Sequence, residues 1–174
     1  MSLRSYSLNT TARPLEFFID PTPGDSRFDL DQPYQRGIAW GRTRNQNLIK
    51  SLLMGVPIPA ILLNNRLDAG FNHPGYDQNR NWSYAVVDGK QRVTAVQGFL
   101  AGRFAVPREW FDEPGSGDIF FRELTQVRQN FFRNTPLPVV EGRFATLAEE
   151  QQLFDLINFG GLAQGEVDDD LQLG

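Results

Sequence analysis

The sequence predicts one compact domain of mixed α and β structure built on short strands. Three observations predict it. At 174 residues the chain is long enough to bury a real core as a single domain. Its 40% hydrophobic and 12% aromatic content, with fourteen phenylalanines, exceeds what a linker or disordered tail carries. Short apolar runs bounded by glycine and proline alternate with segments of helical periodicity, and no internal repeat is evident.

The elements follow in order. Leu15, Phe17, Phe18 and Ile19 form an early element whose type is open, ended by Pro21, Pro23 and Gly24. Phe28 and Leu30 alternate with polar residues and predict a short strand running into Gln32-Pro33-Tyr34-Gln35-Arg36. From Thr43 to Met54, Leu48, Ile49, Leu52 and Leu53 share a helical face, and Gly55, Pro57 and Pro59 stop the helix. Ala60 to Leu63 reads as a buried strand. The polar stretch Asn64 to Asn81 then reads as a long loop, functional or mobile. Tyr84-Ala85-Val86-Val87 is a strand, Asp88-Gly89 a turn, and Val93, Val96 and Leu100 mark a helix ending near Gly102. Phe104 to Val106 predicts another short strand, Trp110 to Arg133 is ambiguous, and Leu137 to Glu141 is again a strand. Thr146-Leu147-Ala148-Glu149 is a capping box, so a helix starts there and buries Leu147, Leu153, Phe154 and Ile157 until Gly160-Gly161.

Composition removes several kinds of chemistry. With no cysteine there is no disulfide, thiol catalysis, iron–sulfur cluster or cysteine-based zinc site. With one histidine, His73, there is no self-contained site needing two, and its polar setting Asn72-His73-Pro74-Gly75 reads as an exposed loop. No apolar stretch is long enough to cross a membrane and the N-terminus lacks a signal-peptide core, so a cytoplasmic location is expected. The net charge of −4 is uneven: Glu166, Asp168, Asp169 and Asp170 account for it, leaving a neutral body. Between Asp31 and Asp68 there is no acid, while Arg36, Arg42, Arg44, Lys50 and Arg66 supply five cations. That segment is either a docking surface for an acidic partner or a solvated face balanced elsewhere in the fold.

Two clusters hold the residues suited to chemistry. Val87-Asp88-Gly89-Lys90-Gln91-Arg92 sets a glycine, two cations and an amide where a strand turns into a helix. The first turn of a helix exposes unpaired N–H groups at the positive end of its dipole, which suits an anion. Gly89 would let backbone approach a phosphate, Lys90 and Arg92 would add charge, and Asp88 would hold a magnesium ion or accept a proton. The same residue types also describe an ordinary Asp-Gly turn with solvated charges. Tyr34-Gln35-Arg36 with Trp40 would bind phosphate and stack on a base, or would anchor the core with Arg36 reaching solvent.

Taken in order, four motifs define a resemblance: Pro33-Tyr34-Gln35-Arg36 with Trp40, Leu48 to Pro59, Val87-Asp88-Gly89-Lys90-Gln91-Arg92-Val93, and Phe154-Asp155-Leu156-Ile157-Asn158-Phe159-Gly160-Gly161. The chain resembles the N-terminal domain of GmrSD-type modification-dependent restriction proteins, whose hallmark is Asp-Gly-Gln-Gln-Arg. The resemblance spans about residues 13–167. It implies a ParB/sulfiredoxin-like α+β fold, a small mixed sheet flanked by helices. It also implies nucleotide binding and hydrolysis that license a separate C-terminal His-Asn-His nuclease, in defence against modified phage DNA. On that resemblance residues 1–12 are an N-terminal extension, 13–167 the domain and 168–174 an acidic tail.

The resemblance further implies a nucleoside triphosphate held by Gln35, Arg36, Gly89, Lys90, Arg92 and Asn158, with Asp88 and Gln91 placing magnesium or water. Asn158 and Gly160-Gly161 would close the pocket, or simply cap the helix. Lys90 stands where the family usually has glutamine, which adds positive charge and sets aside any role needing an amide there. The chain ends at Leu173-Gly174, where larger members continue into the nuclease, so the nuclease is expected as a separate subunit or the sequence is a fragment. Two further readings stay open: an inert module that docks DNA or protein through residues 32–67, with a homodimer as in ParB-like proteins, and a metal-dependent DNA-nicking nuclease built on Asp88.

Overall fold

The computed structural model describes residues 6–20, 27–35, 39–74, 76 and 83–159. Arg36, Gly160-Gly161 and the acidic residues Glu166 to Asp170 lie outside the described residues.

The chain is an α+β domain centred on a five-stranded mixed sheet. In chain order the strands are β1 (Asn9–Pro14), β2 (Phe28–Asp29), β3 (Ile61–Asn65), β4 (Tyr84–Asp88), the short pair β5 (Val106–Pro107) and β6 (Asp118–Ile119), and β7 (Pro136–Gly142). The helices are α1 (Arg42–Leu53), α2 (Arg66–Ala69), α3 (Lys90–Leu100), α4 (Gln126–Asn134) and α5 (Leu147–Phe159). The sheet order is β1-β7-β3-β4-β2, with β5 and β6 paired separately. β7 runs antiparallel to β1 and parallel to β3, while β4 runs antiparallel to β3 and parallel to β2.

Period-two alternation along the central strands divides the core into two layers. Ile61, Leu63, Val86, Leu137 and Val139 belong to the larger cluster with α1 and α3. Leu62, Val87 and Val140 belong to a smaller one with Phe144 and with Leu153 and Phe154 of α5. Phe18, Phe28, Phe99, Phe111, Phe121 and Phe132 fill the larger layer. Phe99 of α3 meets Phe104, Phe111, Phe121 and Phe132 at centroid separations of 5.2–5.9 Å. Among the described residues no helix is long and apolar enough to cross a membrane.

Several expectations are corrected. The early apolar element, whose type was open, is a 3-10 turn, Leu15–Phe18, and β1 (Asn9–Pro14), which was not expected, precedes it as an edge strand. Its sequence, Asn-Thr-Thr-Ala-Arg-Pro, lacks the apolar alternation that would announce a strand. The stretch from Asn64 does not begin as a loop: β3 continues through Asn64 and Asn65, and α2 follows at once. The Asn64 side chain makes this tolerable. Its Nδ2 donates to Phe144 O at 2.9 Å and Glu150 at 2.7 Å, and its Oδ1 accepts from Phe144 N–H, so the buried amide is paired. The strand expected at Phe104 to Val106 lies at Val106–Pro107, because Phe104 packs on Phe99 instead. Ile157 is 50% exposed rather than buried, while Leu153 and Phe154 reach the sheet.

Candidate functional site

The site is built on the junction of β4 and α3. β4 is buried through Ala85, Val86 and Val87 and delivers Asp88 to its end. Gly89 then turns the chain with φ +98°, in the left-handed region, and α3 starts at Lys90. A β-carbon at Gly89 would lie 2.6 Å from Ile61 Cδ1 and 3.1 Å from Arg92 Nη2, so glycine serves both the backbone angle and the space the guanidinium occupies. The N-cap of α3 is Gly89, which has no side chain to accept from the first-turn N–H groups, and among the described residues no side-chain cap is made there.

This junction forms one wall of an open cavity of about 540 Å3. Asp88 lines it from the end of β4, Gly89 from the turn, Lys90, Gln91 and Arg92 from α3, Tyr34, Gln35 and Trp40 from the segment after β2, and Phe154, Asp155 and Asn158 from α5. Every candidate site residue among those described, Gln35, Asp88, Gly89, Lys90, Gln91, Arg92 and Asn158, thus lies in one pocket. Arg36 lies outside the described residues. Tyr34 and Phe154 meet at 5.2 Å between ring centroids and, with Trp40, make the apolar side of the cavity.

The polar groups are held by one another. Arg92 Nη2 donates to Asp88 Oδ2 at 2.7 Å, an i to i+4 ion pair across the turn, and Lys90 Nζ meets Asp31 Oδ1 at 2.7 Å. Gln91 Oε1 accepts from Trp40 N–H at 3.1 Å, tying the aromatic segment to α3. Gln35 Nε2 donates to Val86 O and Val87 O at 2.6 and 2.9 Å. Asn158 Nδ2 donates to Phe154 O, one helical turn back.

Sequence reasoning missed the support beneath the pocket. Glu150 of α5 is fully buried and accepts from Arg66 Nε and Nη2, both at 2.8 Å, from Asn64 Nδ2 and, at 3.2 Å, from the Tyr34 hydroxyl. Arg66 also donates to Asp29 Oδ2 at 2.6 Å and Gln32 Oε1 at 2.8 Å, and its guanidinium lies 4.1 Å from the Phe71 ring centroid. Burial alone would lower the Arg66 pKa. The hydrogen bonds and negative charge of Glu150, then those of Asp29, outweigh it and hold the guanidinium above its ordinary value. Burial, then the charge of Glu150, pushes the Tyr34 hydroxyl far above the usual tyrosine range, so it stays a donor to the carboxylate.

The network also revises the basic segment. Arg66 is buried among acids, Arg42 pairs with Asp118 at 2.7 Å, and Lys50 Nζ lies 5.5 Å from the Trp110 ring centroid. Arg44 is exposed, and so is His73, as its polar surroundings predict.

Among the described residues no group of three or more histidines or carboxylates is placed to hold a metal ion. Magnesium, however, is commonly held by one or two carboxylates together with substrate phosphates. Asp88 and Asp155, both in the pocket wall, fit that more limited part.

An α+β domain with a cation-bearing, aromatic-walled pocket at a strand-to-helix junction is the class that fold and site define together. The chain belongs to the family of the GmrSD restriction endonuclease N-terminal domain, whose family model matches residues 22–155. It is therefore a restriction-system domain, of a kind related to phage defence. Comparison with curated proteins and with solved structures gives no match.

Proposed function

We propose that this domain binds a nucleoside triphosphate in the β4–α3 pocket. One observation supports this above the rest: the uncapped first turn of α3, Lys90, Arg92 and an aromatic wall border the same cavity. The helix N-terminus and two cations suit a chain of phosphates, and Trp40, Tyr34 and Phe154 suit a base. Magnesium accompanying the nucleotide would be held by Asp88 and Asp155 and would neutralise phosphate charge. Binding has more support than turnover, because Gln91, suited to placing water, is already engaged by the Trp40 main chain. A DNA-docking role for residues 32–67 has less support, since Arg66 is buried among acids and contributes no surface charge.

Titration calorimetry with ATP, GTP and CTP, with and without magnesium, tests the reading. At least one triphosphate is expected to bind, and Arg92→Gln to weaken it about ten-fold or more while circular dichroism stays unchanged. Absence of binding by all three sinks the reading.

A further inference from the structure

β1 is an edge of the main sheet, and the side of it that faces away from β7 pairs with nothing among the described residues. Two prolines of β7 fix which groups lie on that side. Antiparallel partners alternate between pairs that exchange two hydrogen bonds and pairs that exchange none. Pro138 and Pro136 have no N–H, so their pairs, with Ala12 and Pro14, are of the second kind. Asn9, Thr11 and Arg13 therefore bond to β7, a phase that Leu15 continues by donating to Thr135 O at 3.0 Å. Thr10 and Ala12 turn both N–H and C=O outward. Pro14 follows in the same phase without a donor, which ends the usable edge.

An edge of this length is a template for another strand, and proteins ordinarily blunt it with a charge, a bulge or a proline. Here the register with β7 runs without a bulge, Asn9 to Ala12 carry no charge, and proline stands only at the end. The single cation is turned back: the Arg13 guanidinium meets Glu141 Oε2 at 3.3 Å and lies 5.0 Å from the Phe17 ring centroid. The opposite edge, β2, spans two residues and offers no such template.

The outward groups fit a second copy of the same strand. With a two-fold axis at Thr11, Thr10 of each copy stands against Ala12 of the other, and every outward N–H of the two residues meets an outward C=O. An axis at Ala12 would set Thr10 against Pro14, which has no N–H, and an axis at Thr10 would call on Leu8, outside the strand. About Thr11 the side chains also agree: threonine opposes threonine, Asn9 opposes Arg13, and no like charges meet.

We infer that two copies of this chain associate through β1, antiparallel about Thr11, so that the sheet of one copy continues into the other. Six residues on each side bury less than the roughly 1,000 Å2 of a firm interface, so the dimer is weak and reversible.

Sedimentation velocity on the full chain, in a concentration series up to about 1 mM, tests this. The wild type is expected to pass from monomer to dimer within that range. Ala12→Pro removes an outward N–H and spares the bonds to β7, so it is expected to stay monomeric throughout, with the melting temperature of the monomer unchanged. The chain has no cysteine, which permits a direct test of register. In Thr11→Cys the two thiols belong to a pair with Cα atoms about 4.5 Å apart, within the span of a disulfide. Oxidation is expected to cross-link it about ten-fold or more faster than exposed Glu16→Cys, reversibly on reduction. A wild type that remains monomeric to about 1 mM overturns the inference. So does a dimer that persists in Ala12→Pro, or Thr11→Cys cross-linking no faster than Glu16→Cys. Should Ala12→Pro fail to fold, the wild-type series and the cross-linking rates decide without it.

Discussion

Replacing Glu150 by glutamine keeps the shape of the side chain and removes its charge. The carboxylate accepts two hydrogen bonds at each oxygen: Arg66 Nε and Asn64 Nδ2 at one, Arg66 Nη2 and the Tyr34 hydroxyl at the other. A glutamine NH2 placed on the Asn64 side faces two donors, and placed on the Tyr34 side it faces Arg66 Nη2 while the Tyr34 hydroxyl can turn to accept, so at least one hydrogen bond is lost and a buried guanidinium loses its fully buried counter-ion. Asp29, at 2.6 Å, still compensates part of the Arg66 charge. Breaking a buried pair from one side costs about 3–5 kcal/mol, against a total stability of roughly 5–15 kcal/mol for a domain. At roughly 2–4 °C per kcal/mol for a chain of this size, the melting temperature should fall by roughly 6–20 °C. Urea unfolding of Glu150→Gln should show a lower midpoint with an unchanged slope, while exposed Glu16→Gln should stay within about 0.5 kcal/mol of wild type. A loss below about 1 kcal/mol for Glu150→Gln would refute the view that this carboxylate holds α2, α5 and Tyr34 together.

Alkaline pH gives a second prediction. Tyr34, Tyr76 and Tyr84 are all pushed above the ordinary value of 10.0, by burial first. The unfolded chain therefore ionises before the folded one, so their contribution is full below pH 10.0 and is lost as pH rises through the folded values. The slope reaches about 1.4 kcal/mol per pH unit for each group. Tyr34→Phe should flatten the dependence of unfolding free energy on pH above 10.0, and an unaltered slope counts against the assignment. Gly89→Ala meets both a φ of +98° and Ile61 Cδ1 at 2.6 Å, whereas Gly102→Ala meets a φ of +70° with open space around it. Left-handed strain costs about 1–3 kcal/mol, so both should destabilise and Gly89→Ala by more. Equal losses in denaturant midpoint would show that Ile61 simply moves aside.

The Asp88 to Arg92 turn was legible in the sequence because everything that makes it is local: an apolar run, an Asp-Gly pair and a helical period within a dozen residues. The aromatic and amide residues from Tyr34 to Trp40 were legible as types. The convergence of Gln35 and Asn158 on the Asp88 to Arg92 turn was expected from the family resemblance rather than from spacing, whereas the joining of Tyr34, Trp40 and Phe154 into an aromatic wall was not expected. Ile157 shows the limit of periodicity, which marks a helical face but not how much of its length finds a partner. Asn64 and Asn65 show another limit, since polar residues read as loop until the groups that pair with them are known.

By itself the sequence determined a mixed α and β class with short strands, the strand–turn–helix at Gly89 and the absence of cysteine or two-histidine chemistry. Neighbouring residues and composition suffice for each of these. Tertiary structure alone decided which charges are solvated and which are spent on one another. Arg66 reads as part of a basic surface until Glu150, 84 residues away, is found bonded to it. Gln35 reads as a candidate phosphate-binding residue until β4 is found to take up its NH2. Desolvation and pairing are set by distance in space, and distance along the chain carries no record of them.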